Sequence, residues 1–221
     1  MRRQTCRVLV AVALVASLSA LTGAHAANYY DGGTQSPGIV VRGGRATITT
    51  PPVPLLHGGD FSYAWVMVSN SARDRWAQAG PCTKPAYSTQ VRIAGDYTSN
   101  DGVHHWCGER SQPSGTPLYT VVQDASTGAY TFMCGSNTFF VTGALNWAGS
   151  VVHFYGEVVP DTTVQMMGDT AHPAYFGSLA YKPGSCPSWA TAWPDTWRND
   201  QPAQWGFFTE TGKFRIWDMS P

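Results

Sequence analysis

The sequence predicts an all-β chain folded as an antiparallel two-sheet sandwich, and three observations carry that expectation. Short segments of period-two alternation recur along the chain, separated by turn residues at the spacing of sandwich strands. No segment before Gly184 sustains the 3.6-residue period of a helix. Only 13% of the 221 residues are charged, while Gly 23 and Pro 15 supply breaks between strands. An average soluble domain is about 25% charged, and a helical bundle would need abundant Glu, Lys, Ala and Leu. A formal net charge of 0 also gives no electrostatic footprint for nucleic acid.

Residues 1–26 read as a cleaved leader. Arg2, Arg3 and Arg7 form a basic start, Val8 to Leu21 is apolar, and Ala24-His25-Ala26 is a small-x-small cleavage site. The mature chain is therefore expected outside the cell, as a single domain and a monomer. Loss of the three arginines takes its formal charge to −3. No later stretch approaches the roughly 18 apolar residues of a membrane span, so no membrane contact is expected of the mature form. Four cysteines follow the leader: Cys82, Cys107, Cys134 and Cys186. In an exported chain an even number predicts two disulfides, with three connectivities open. Cys82–Cys107 with Cys134–Cys186 is preferred because it closes the shorter loops.

Residues 27–44 are rich in glycine and read as a flexible lead-in to a sandwich domain over 45–221. Ala46 to Thr49 starts the strands, and Pro51, Pro52 and Pro54 then exclude a central strand. Tyr63 to Ser69 and Trp76 to Gly80 follow. Leu118 to Gln123 and Ala129 to Cys134 flank Asp124 to Gly128, a hairpin turn. Thr138 to Thr142 and Val151 to Val159 complete the run. The tail, 184–221, packs Trp189, Trp193, Trp197 and Trp205 among Pro187, Pro194 and Pro202. It reads as an irregular flap over a sheet face, with Phe214 to Trp217 as a last strand.

Chemistry has few places to sit. Only three glutamates occur, Glu109, Glu157 and Glu210. Alternation along Val151–Val159 puts Val152, Phe154, Gly156 and Val158 on a core face. The other face carries His153, Tyr155 and Glu157, an imidazole, a phenol and an acid in one row. In the same way Ala64, Val66 and Val68 oppose Tyr63, Trp65, Met67 and Ser69, and Trp76 shares a face with Gln78. If these strands share a sheet, its outer face is aromatic-lined and holds both Gln78 and Glu157, as a peptide or glycan site requires. No G-x-S-x-G elbow is present. The adjacent His104 and His105 cannot copy a helical zinc motif and read as a polar loop. Asp124, Ser126 and Gly128 read as a plain turn in preference to a calcium loop. No metal or cofactor is expected.

Several of these segments resemble neprosin-type glutamic endopeptidases. Phe61-Ser62-Tyr63-Ala64-Trp65-Val66-Met67-Val68 followed by Ala77-Gln78-Ala79-Gly80 is similar to that family's N-terminal signature. Gly44-Arg45-Ala46-Thr47-Ile48 and Val122-Gln123-Asp124-Ala125-Ser126-Thr127-Gly128 also fit. Phe154-Tyr155-Gly156-Glu157-Val158 with Met167-Gly168 resembles its Gly-Glu-Val and Met-Gly elements. The likeness spans roughly 44–181. It implies a jelly-roll, concanavalin-like sandwich and places Glu157 on a catalytic glutamate. Gln78 stands where that family has its other glutamate. The fungal eqolisins, similar sandwiches, use a Gln/Glu pair, and Trp65-Val66 with Gln78-Ala79-Gly80 resembles their elements. The resemblance thus implies peptide-bond hydrolysis at acidic pH, with Glu157 as general base and Gln78 as oxyanion donor. Trp65, Trp76, Tyr155 and His153 would bind substrate. The competing reading is a non-catalytic module that binds glycan through its aromatic side chains.

Overall fold

A computed structural model describes residues 28–49, 61–83, 90–112, 116–159 and 165–219. The leader and the Pro51–Pro54 break lie outside them. The described residues form fifteen strands: β1 Tyr29–Gln35, β2 Val41–Ile48, β3 Phe61–Ser69, β4 Trp76–Thr83, β5 Arg92–Thr98, β6 His104–Ser111, β7 Leu118–Gln123, β8 Ala129–Cys134, β9 Asn137–Ala144, β10 Val151–Val159, β11 Ala174–Pro183, β12 Ala190–Thr191, β13 Thr196–Asn199, β14 Trp205–Glu210 and β15 Lys213–Asp218. A seven-stranded sheet runs β13-β1-β10-β3-β4-β5-β6, and an eight-stranded sheet runs β14-β15-β11-β2-β7-β8-β9 with β12 on β11. The expected all-β sandwich is the observed architecture.

Alternation places the core between the sheets. Ala64, Val66 and Val68 of β3, Ala77 and Ala79 of β4, and Val152, Phe154 and Val158 of β10 turn inward. They meet Tyr119, Val121, Phe132, Phe176, Phe214 and Ile216 from the other sheet. Small side chains on β3 and β4 leave room for the large rings of the facing strands, which keeps packing dense. A Cβ on Gly156 would meet the ends of the Ile216 and Met166 side chains, which would have to shift, so glycine there lets the sheets pack closely without that rearrangement.

Two segments are more ordered than their composition indicates. Most of the flexible lead-in is β1 and the start of β2. β1 pairs along its whole length with β10, Tyr30 opposite Glu157 and Thr34 opposite His153. Its glycines are close-approach positions: Gly32 has φ +148° with the Tyr155 ring against it, and Gly33 faces Pro194 and Trp197. The tail is not only a flap. β13 pairs with β1, and β14 and β15 extend the eight-stranded sheet. Trp205 is buried in the core and Trp197 packs on Phe207 and Phe214, whereas Trp193 is 38% exposed. The histidines expected in a loop lie on β6, because His104 and His105 pair with Thr98 and Tyr97 of β5.

The expected disulfides are not formed among the described residues. Sheet register gives the reason. Cys82 pairs with Arg92, which pairs with Ser111, so Cys107 lies two strands away and offset along β6. Two strand spacings alone are about 9–10 Å, beyond the roughly 7 Å Cα limit of a disulfide. Cys134 pairs with Tyr119 and Tyr119 with Ala46, whereas Cys186 follows Pro183, which pairs with Val41 at the other end of β2.

Phe154 has no exposed surface and sits at the centre of the core. Replacing Phe154 with Ala is expected to cost about 3–5 kcal/mol, read as a lower denaturation midpoint with an unchanged slope.

Candidate functional site

The outer face of the seven-stranded sheet collects the polar row. Register carries it across the strands: Glu157 pairs with Tyr63 and Tyr155 with Trp65, while Met67 joins His153 to Gln78 and Gln78 pairs with Asp96. Directly paired residues point to the same side, so Gln78 and Glu157 share one face. Both are nearly buried, at 8% and 5% exposure.

Glu157 is held from two sides. Oε1 accepts a hydrogen bond from Asn28 Nδ2 at 2.7 Å, and Oε2 accepts one from Trp65 Nε1 at 2.5 Å. Burial pushes its carboxyl up to about 7, the negative charge of Asp96 pushes the same way, and hydrogen bonds from Trp65, Tyr30 and Asn28 oppose the rise. The Trp65 ring stacks on Tyr63 with centroids 4.4 Å apart, and Trp106 meets Tyr63 edge-on at 5.9 Å.

Gln78 has a separate anchor. Its Nε2 donates to Asp96 Oδ2 at 2.9 Å, and Trp76 Nε1 donates to Asp96 Oδ1 at 2.7 Å. The His104 ring lies 3.3 Å from the same Oδ1. Its pKa is raised, chiefly by the hydrogen bond to Asp96, against a lowering by burial. The Gln78 amide is thereby oriented, since only its NH2 can face a carboxylate acceptor. One N–H is used, and the second can donate elsewhere.

A third group supports the floor. His153 Nε2 lies 2.8 Å from Ser69 Oγ, and Nδ1 lies 3.0 Å from Thr34 Oγ1. Tyr155 OH is 2.6 Å from the same Thr34 oxygen. Ser69 Oγ donates to the Asn70 carbonyl, so it accepts from His153 Nε2–H. Thr34 then donates to Nδ1 and accepts from Tyr155. Burial lowers the His153 pKa to about 3, and the ring is neutral. With both nitrogens occupied, His153 braces the sheet face. The Ser69–His153 contact is likewise no nucleophile pair, because Ser69 is 1% exposed and the second ring nitrogen meets a hydroxyl instead of a carboxylate.

The structure thus gathers Gln78, Glu157, Trp65, Trp76, Tyr155 and His153 on one face. Gln78 and Glu157 share no hydrogen bond among the described residues; Asp96 joins them electrostatically. Asp96, His104, Asn28, Tyr30 and Thr34 were missed in the sequence. A signal for Asp96 existed, because Ile93, Gly95 and Tyr97 alternate with Ala94, Asp96 and Thr98. No group of three His, Cys, Asp or Glu side chains able to hold a metal occurs among the described residues.

Fold comparison finds β-sandwich structures similar to this one. It superposes on scytalido-glutamic peptidase bound to a peptide-based transition-state analogue with a TM-score of 0.58 at 9% identity, over 87% of this chain and 98% of that one. It superposes on SCP-B, an eqolisin-family peptidase in complex with the tripeptide Ala-Ile-His, with a TM-score of 0.52 at 8% identity, again over 87% and 98%. At such identities the likeness is one of fold, an eqolisin-like β-sandwich. No protein-family model and no curated protein sequence matches the chain.

The electrostatics of Glu157 have a stability consequence. A carboxyl whose pKa is raised from 4.5 to about 7 on folding stabilises the fold below 4.5, and that contribution disappears as pH rises through about 7. Glu157→Gln does not titrate at this position. Its melting temperature minus that of the wild type is expected to increase between pH 4.5 and about pH 7, and a flat difference would contradict the assigned burial cost.

Proposed function

We propose that the chain is an exported peptide hydrolase of the glutamic type, with Glu157 as general base and Gln78 as oxyanion donor. The observation that carries this reading is the placement of Gln78 and Glu157 on one sheet face, in a fold shared with glutamic peptidases bound to peptide ligands.

The chemistry follows from the partners each group already has. Asn28 and Trp65 hold the Glu157 carboxylate in place, and its remaining lone pairs accept a proton from water as that water attacks the peptide carbonyl. The Gln78 N–H not bound to Asp96 donates to the oxyanion that forms. Protonated Glu157 then returns its proton to the departing amine. Partly exposed Trp76 lines the peptide's path while buried Trp65 supports Glu157 from below, and each donates a hydrogen bond to a carboxylate of the site. Glutamine cannot share a proton with Glu157, so the pair is not a carboxyl dyad.

Electrostatics bear on the working pH. The base form of Glu157 requires ionisation, and burial together with the Asp96 charge sets that step near 7 in the free protein. This favours activity rising through neutrality over the acidic optimum that the family likeness implies.

Glu157→Gln is expected to abolish cleavage of a denatured protein substrate at every pH. Gln78→Ala is expected to lower kcat by about 10²–10³ with a smaller change in KM. In the wild type, kcat/KM should rise along a limb near pH 7. Cleavage by Glu157→Gln at the wild-type rate would overturn the assignment, and a limb well below pH 7 would overturn the electrostatic part alone. N-terminal sequencing of exported protein should begin at Ala27, and a start at Met1 would exclude the leader.

A further inference from the structure

The opposite side of the sandwich carries a different chemistry. On the eight-stranded sheet, Ala46, Phe214 and Ile216 face the core, so Arg45 of β2 and Lys213, Arg215 and Trp217 of β15 face outward. The Arg45 guanidinium lies 4.5 Å from the centroid of the Trp189 ring. Arg215 lies 4.8 Å from Phe208 and 5.6 Å from Trp217. Trp217 lies directly over Gly206, where any side chain would collide with the ring. One indole face therefore rests on bare backbone.

A cavity of about 440 Å³ opens beside Arg45, with Trp189, Trp193, Ser178 and Thr191 in its walls. The backbone is bent to make it. Ser178 has φ +50°, a left-handed conformation that a non-glycine residue adopts at a cost. It sits in the register shift between Gly177 and Ala180, where the β2–β11 ladder is interrupted. The bulge leaves Ser178 exposed at the cavity wall.

We infer that this outer face is a second binding site, for an acidic oligosaccharide whose carboxylates meet Arg45 and Arg215 and whose rings stack on Trp189 and Trp217. The charge pattern selects the ligand. Among the described residues neither arginine is in a salt bridge; Arg215 Nε is buried and its Nη1 donates to Tyr175 OH at 3.4 Å, so Arg45 is the more open of the two. The Arg45 guanidinium, laid on the Trp189 ring, keeps its N–H edge for bidentate contact with a carboxylate, and Arg215 adds a second positive charge along the face. Lys213 is already paired with Glu210 at 2.9 Å, so it adds little net charge. Flat ring surfaces beside hydroxyls and guanidinium edges suit a sugar acid, which offers an apolar ring face and a charged rim together. The inference does not depend on hydrolysis by Glu157, which lies on the other sheet.

Titration of the full chain with an oligogalacturonate, followed by tryptophan fluorescence, tests the site. Saturable binding is expected, weakened by added salt and about tenfold by Arg45→Gln or Trp189→Ala. A neutral cello-oligosaccharide of equal length should bind at least about tenfold more weakly. Arg215→Gln, on a different strand from Trp189, guards against misfolding of the tryptophan variant and should also weaken binding, with an unchanged melting temperature as its control. Peptide cleavage by the arginine variants should match the wild type. Absence of saturable binding, equal affinity for the neutral chain, tighter binding of oligothymidylate, or arginine variants that bind like the wild type would each overturn the inference.

Discussion

Much of this molecule is organised by the cost of keeping the Glu157 carboxyl out of water. β10 is buried on both faces over nearly its whole length. Inward, Val152, Phe154 and Val158 are ordinary core. Outward, the same strand must satisfy an imidazole, a phenol and a carboxyl with no direct help from solvent. Asn28, Thr34, Trp65 and Ser69 supply those partners from β3, β1 and the residue preceding β1. The neighbouring strands are thus tied to β10 by side-chain hydrogen bonds as well as by ladder bonds. The Glu157 pKa is still raised, by burial first and the Asp96 charge second, because these hydrogen bonds offset only part of that cost.

That dependence explains why the first strand is glycine-rich and yet ordered. β1 must lie close enough to β10 for Thr34 to bridge His153 and Tyr155. A side chain at position 32 would strike the Tyr155 backbone and ring, and one at position 33 would strike Pro194 and Trp197. Bare backbone there lets the strand and the tail approach from two directions. The tail then closes the edge through β13, so the tryptophan-rich segment secures the strand that secures the site.

Alternation made β3, β4 and β10 legible, because each has one clean apolar face that only a two-sided sheet explains. It put Gln78 and Glu157 each opposite an apolar face, so that they would share a side if their strands shared a sheet, which the pairing of β10, β3 and β4 supplies. The first strand was hidden because glycine carries no face to alternate and its composition equals that of a loop. Asp96 was hidden for a different reason. Alternation along β5 gives it a face, but it lies 18 residues from Gln78 in sequence, and that pattern does not show that the carboxylate orients an amide on the next strand. Cysteine spacing misled because loop length says nothing about register, and register separates both expected pairs.

Charge is divided between the two faces, and the division bears on what each can bind. Asp31, Asp96 and Glu157 are all buried in the seven-stranded sheet. Asp31 points toward the core opposite Gly156, and burial with the nearby Asp200 charge raises its pKa to about 8, so it is largely neutral at pH 7. The outer face of that sheet therefore has Asp96, Glu109 and a partly ionised Glu157 among its acidic groups, with His104 as a neighbouring base and the Arg198–Asp200 pair beside Tyr30. A neutral peptide bond meets no long-range repulsion there. An acidic polymer does, whereas the arginines stacked on the opposite sheet attract it. Two ligand classes can thus be sorted to opposite sides of one sandwich by charge alone, without a second domain.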